Sequence, residues 1–114
     1  MHKIQLQVID TLIDVYMIQN EDNTISIMNE HNQLLSAHDD LKHVYWTDVN
    51  GDISDYINEW EKFEIDEYQH NKILKSWHGR WLWWVPKSII CDDGQSEGYM
   101  WQSYEKDVSV SIMI

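Results

Sequence analysis

Residues 72–86, KILKSWHGRWLWWVP, constrain the fold more than any other stretch of this chain. His78-Gly79 divides the run into two pieces of strand length. Pro86, with no N–H to give to a ladder, closes the second. The stretch reads as a β-hairpin, Lys72–Trp77 and Arg80–Val85, about a His-Gly turn. Side chains in a strand alternate between faces, so Trp81, Trp83 and Val85 share one face and Leu82 and Trp84 the other. Two large apolar faces mean either a strand sandwiched on both sides, the preferred reading, or an exposed aromatic patch that marks a binding surface. Of Trp81, Trp83 and Trp84, at least one is expected in the core.

Other strand signals are shorter. The C-terminal DVSVSIMI sets Val108, Val110, Ile112 and Ile114 against Ser109, Ser111 and Met113, the cleanest period of two in the chain. YMI (16–18), TISIM (24–28) and VYWT (44–47) are β-type runs. Residues 4–16 read as strand from the alternation of Ile4, Leu6 and Val8, against a competing four-residue repeat of Val8, Leu12 and Tyr16. With only 4 Gly and 1 Pro in 114 residues, turns are left to Asn and Asp, as in QNEDN (19–23), NEHNQ (29–33), DVNGD (48–52) and CDDGQ (91–95).

One segment reads as a helix. From Asp52, DISDYINEWEKF places Ile53, Tyr56, Ile57, Trp60 and Phe63 at helical spacing, with Asp52 as N-cap and Asp55 favouring the positive end of the dipole. This is preferred to a hairpin about Asn50-Gly51. On such a helix Asp52, Asp55 and Glu59 form one outward stripe, while Glu61 points elsewhere and matters little. The expected fold is α+β: a small, β-rich single domain over residues 1–114, with a curved antiparallel sheet and one acidic helix.

A chain of this length supports one domain with a sizeable core. No apolar run reaches membrane-spanning length. The N-terminal stretch carries Asp10 and Asp14 and has no small-residue cleavage site, so it does not read as a signal peptide. The 1 cysteine cannot form an internal disulfide. Together these lead to the expectation of a cytoplasmic protein of the host cell, away from membranes.

The formal charge is −12 and unevenly spread. Residues 39–67 hold ten acids and two lysines, whereas residues 68–91 hold four bases and no acid. Solubility alone does not need sorted charges, so the blocks imply an interaction.

Catalytic groupings are thin. His38, Asp39, Asp40 and His43 are metal-capable residue types, but the histidines are five apart, which suits neither a helix face nor a strand face. A solvated turn is the preferred reading. His70 and His78 flank the first hairpin strand with no acid nearby in sequence. Cys91, beside Asp92 and Asp93, has its thiolate disfavoured. No phosphate-cradling glycine loop or nucleophile elbow occurs. The expectation is a protein with no catalytic residues, no metal and no cofactor. Tryptophan beside basic residues resembles a single-strand stacking platform, yet a chain this acidic repels a polyanion, and direct nucleic-acid binding is not expected.

Within residues 64–90, Lys72-Ile73-Leu74 and Trp84-Val85-Pro86-Lys87-Ser88-Ile89 resemble a segment of small, mostly uncharacterised phage-encoded β proteins with a Trp-aliphatic-Pro-Lys/Arg-Ser strand end. That resemblance implies a phage or mobile-element origin and a small curved sheet in the C-terminal half; it suggests no chemistry. In general character, short, acidic and without catalytic signature, the chain is similar to phage anti-defence proteins of the anti-CRISPR and antirestriction types. The expected function is therefore a non-enzymatic inhibitor of a host protein with a basic nucleic-acid-binding surface, such as a CRISPR effector, with carboxylates standing in for phosphates.

Same-face carboxylates lie about 6.7 Å apart on a strand and 5–6 Å apart on a helix, a scale comparable with backbone phosphates. The candidate contacts are Asp48, Asp52, Asp55, Glu59, Glu64, Asp66 and Glu67, together with Trp81 and Trp83. A bacterial toxin-immunity protein is the alternative, and a single-stranded nucleic-acid-binding β module using the tryptophan hairpin is the second. No oligomeric state follows from the sequence.

Overall fold

A computed structural model describes residues 1–39, 43–86 and 98–114. Asp40, the Lys87-Ser88-Ile89 end of the phage-like match, and the expected turn with Cys91, Asp92 and Asp93 lie outside the described residues.

Among the described residues ten strands run in the order β1 (His2–Val8), β2 (Thr11–Gln19), β3 (Ile25–Asn29), β4 (Gln33–Ala37), β5 (Val44–Asp48), β6 (Phe63–Tyr68), β7 (Asn71–Ser76), β8 (Trp81–Val85), β9 (Tyr99–Ser103) and β10 (Val110–Met113). All pairings are antiparallel within one sheet, in the order β5-β4-β3-β2-β1-β10-β7-β8-β9, with β6 joining β3 to β7. The circuit β3-β2-β1-β10-β7-β6 therefore closes on itself. Two arms extend from it, β4-β5 beyond β3 and β8-β9 beyond β7, and they meet at a bridge between His43 and Trp101.

Alternation explains what fills the interior. Ile4, Leu6 and Val8 of β1, Val15 and Met17 of β2, Ile25 and Ile27 of β3, Leu35 and Ala37 of β4, Leu74 of β7, Leu82 of β8 and Val110 and Ile112 of β10 form one buried cluster with Phe63. β8 divides its faces as its sequence implies. Leu82 is fully buried and Trp84 packs against the core, whereas Trp81 and Trp83 point outward and are half-buried.

Turn chemistry is carried by more than Asn and Asp. Asn23 and Asn32 do take left-handed backbone conformations, at φ +69° and +57°. The two-residue β6–β7 turn uses Gln69 and His70, both at positive φ, the geometry that matches hairpin twist. Ile9, in the β1–β2 turn, sits at φ +56°, a conformation that a β-branched residue adopts only under strain.

The acidic helix is not there. The described chain is a β-sheet protein, not α+β: residues 52–61 make only two single-turn 3-10 segments, Ile53–Asp55 and Glu59–Glu61. Between them Asn58 is extended (φ −118°, ψ −169°), which breaks any continuous helix. The hairpin about Asn50-Gly51 does not form either, since β5 pairs with β4 and β6 with β3 and β7.

The reason is tertiary. β3 and β4 are buried on both faces, and Ser26, Met28, Leu34 and Ser36 lie on the face turned away from the main core. Residues 49–61 cover that face, with Ile53, Tyr56, Ile57 and Trp60 half-buried. The Glu61 carboxylate accepts from Ser36 Oγ (2.6 Å) and from the Asn58 backbone N–H (3.0 Å), and its carbonyl accepts from Ser26 Oγ (2.7 Å). An isolated helix of about a dozen residues is marginal in water, so these buried hydrogen bonds and the apolar cover decide the conformation.

Candidate interaction surface

The sorted charge blocks are brought together by the β6–β7 hairpin. Its register sets Glu64 opposite Lys75 and Glu67 opposite Lys72. Lys72 Nζ lies 3.7 Å from Glu67, and Lys106 Nζ 3.2 Å from Asp66. Partial burial works to raise the Asp66 pKa, but hydrogen bonds from the Glu67 N–H, the Trp81 indole and Lys106 outweigh it and hold the carboxyl below its ordinary value. Lys62, on the loop side of β6, bonds Asp22 at 2.8 Å. Its hydrogen bond, with help from Thr24, lowers the Asp22 pKa to about 2. Two of the four bases of the basic block, Lys72 and Lys75, thus stand beside acids of β6.

The outward tryptophans are engaged by their own chain. Trp81 has Lys75 and Lys106 at 5.3 and 5.4 Å from its ring and donates its indole N–H to Asp66 (3.1 Å). Trp83 donates to the Glu105 carbonyl at 2.7 Å. Gly98, just before β9, packs closely on this strand end: a Cβ there would collide with the Val85 carbonyl oxygen and the Trp84 ring. The most open tryptophan of the hairpin is Trp77, in the turn, 49% exposed with Lys62 at 5.7 Å from its ring. The sequence places Trp77 at the end of the first hairpin strand, but that strand stops at Ser76 and Trp77 falls in the turn, where alternation no longer assigns it a face.

The loop acids behave differently. Asp48, Asp52, Asp55 and Glu59 are all exposed, and none has a cationic partner among the described residues. Asp48 accepts from Gln33 Nε2 at 2.9 Å. Asp52 caps Ser54 through its backbone N–H and hydroxyl, which hold its carboxyl below the ordinary value. These residues do not share a helix stripe. They follow a path that leaves β5 opposite Gln33 and returns to β4 at Ser36, about 10 Å along the strand. Glu61, expected to be unimportant, is the acid of this block that the fold buries, at 8% exposure.

The path ends at a surface rich in rings. The His38 ring lies 4.7 Å from Tyr45 and 4.5 Å from Trp60, and Trp60 lies 6.4 Å from His78. His43 contacts Tyr45, Tyr99 and Trp101 at 5.5, 6.3 and 6.0 Å. Backbone carbonyls of the β4–β5 connection are tied down by the opposite arm. Gln102 donates to His38 and His43, His78 to Ala37, and Arg80 to Asp39.

Among the described residues no three His, Cys, Asp or Glu side chains are placed to hold a metal, and His38 and His43 belong to this aromatic surface. No helix among them is long and apolar enough to cross a membrane. The chain matches no family model, no curated protein and no solved structure.

Proposed function

We propose that this protein works by binding, occupying a basic nucleic-acid-handling surface on another protein and so inhibiting it. The partner class is a host defence protein, such as a CRISPR effector. The observation that carries the reading is the state of Asp48, Asp52, Asp55 and Glu59: exposed and, among the described residues, without a cationic partner, whereas Asp66 and Glu67 on β6 meet lysines of the same chain. Exposed carboxylates without local partners attract a basic surface and speed encounter with it. The outward tryptophans support a structural role better than base stacking, since lysines lie over Trp81 and both indole N–H groups have acceptors within the chain.

The test is inhibition of DNA cleavage by purified host CRISPR and restriction nucleases, measured from about 0.05 to 0.5 M salt, over which charge screening shortens steeply. Inhibition of at least one nuclease is expected, weakening with salt and absent for the combined Asp52→Asn, Asp55→Asn, Glu59→Gln variant. Salt-independent inhibition, or full inhibition by that variant, would overturn the reading.

A further inference from the structure

Four cations of the chain already lie against its own aromatic rings: Lys62 on Trp77, Lys75 and Lys106 on Trp81, and Arg80 on Tyr104, all at 5.3–5.7 Å. The Tyr45–His38–Trp60 group has no such cation among the described residues. Tyr45 is its most open ring, at 46% exposure. In the chain Asp39 follows His38 and Glu59 precedes Trp60; both are exposed and without a cationic partner among the described residues. Arg80 reaches this region only through the Asp39 carbonyl, with its guanidinium against Tyr104.

We propose that the Tyr45–His38–Trp60 surface with Asp39 and Glu59 reads an arginine of the basic partner, a guanidinium in preference to an ammonium. The proposal rests on the binding function above and names what that partner must present. A guanidinium is planar and weakly hydrated, so it stacks on an aromatic face while its N–H groups reach carboxylates at the rim. The ammonium of lysine holds its water more tightly and has no plane to stack. Asp39 and Glu59 supply charge for either cation; the rings supply the discrimination.

The experiment titrates the full chain with poly-arginine and with poly-lysine peptides of equal length, following binding by calorimetry. The arginine peptide is expected to bind about tenfold more tightly, equivalent to about 1.4 kcal/mol. Tyr45→Val, which suits an exposed strand position, should bring the two affinities together while leaving the lysine peptide and the melting temperature unchanged. Glu59→Gln should weaken both peptides alike. Equal affinities in the wild type would overturn the arginine site and leave the binding function standing. A preference that survives Tyr45→Val, or falls with Trp77→Val instead, would also overturn it. Binding of neither peptide would count against the binding function itself.

Discussion

The acids of β6 and the acids of residues 48–59 come from one continuous acidic block, yet the fold treats them in opposite ways. On β6, Glu64 and Glu67 stand across the ladder from Lys75 and Lys72, and Asp66 bonds Trp81 and Lys106. Along the loop, Asp48, Asp52, Asp55 and Glu59 have no cation beside them among the described residues. Cross-strand pairs of opposite charge favour one register and oppose others. The sorted charges of residues 39–91 thus have a structural use that composition alone cannot separate from a binding use. Three of the block's ten acids lie on β6 beside lysines, so under the proposed function the loop acids are the ones left for a partner.

The strongest way to break this comparison is to neutralise each half separately. Asp48→Asn, Asp52→Asn, Asp55→Asn and Glu59→Gln together should reduce affinity for a basic partner about a thousandfold or more, since truncated charge pairs at a desolvated interface cost about 2–5 kcal/mol each. The melting temperature should hold, because asparagine at position 52 keeps the cap acceptor. Glu64→Gln, Asp66→Asn and Glu67→Gln together should do the reverse, lowering stability by about 1–2 kcal/mol with affinity largely kept. A β6 variant that lost binding while staying stable would return those acids to the interface.

Glu61 sharpens the contrast from inside the loop. Glu61→Ala leaves the Ser36 hydroxyl and the Asn58 N–H without their acceptor beneath the 49–61 cover, and should cost about 2–4 kcal/mol in denaturant unfolding. A loss under about 0.5 kcal/mol would mean that the apolar cover and the Ser26 bond to the Glu61 carbonyl hold the loop without the carboxylate.

Acid titration separates paired from unpaired acids. The Asp22 pKa is lowered from 3.8 to about 2, so the folded state binds this proton more weakly than the unfolded chain. Its contribution is complete above pH 3.8 and disappears as pH falls through about 2. Melting curves of wild type and Asp22→Asn should therefore differ near pH 5 and converge towards pH 2. A gap that persists at pH 2 would show that the pair with Lys62 is not its source. The smallest effect belongs to Glu67→Gln alone: its 3.7 Å contact with Lys72 joins two exposed side chains, and a change above about 0.5 kcal/mol would be unexpected.

Several elements were legible because they are local. The Trp81/Trp83 and Leu82/Trp84 division, the His-Gly hairpin and the strands at 16–18, 24–28 and 44–47 follow from a period of two and turn residues. β4, β6 and β9 do not show in the alternation. QLLSA has no alternation because both its faces are covered, and FEIDEY reads as helix-end and acidic block until its mirror-image match with NKILKS about Gln69-His70 is noticed. That charge match was the available signal for β6. The aromatic surface had none, since Tyr45, Trp60 and Trp101 lie far apart in the chain and meet only where the β4–β5 and β8–β9 arms close.

By itself the sequence determined that this chain is acidic, rich in short strands and unable to hide all the tryptophans of β8 on one face. Those properties belong to single strands and to total charge, so no folding partner is needed to establish them. The tertiary structure alone decided the conformation of residues 52–61 and which of the described carboxylates meet a cation. Apolar residues at helical spacing satisfy a helix packed on a sheet and a looser chain laid across it equally well. Two buried serines beneath Glu61 favoured the second, and the β6–β7 register set Glu64 and Glu67 across from lysines.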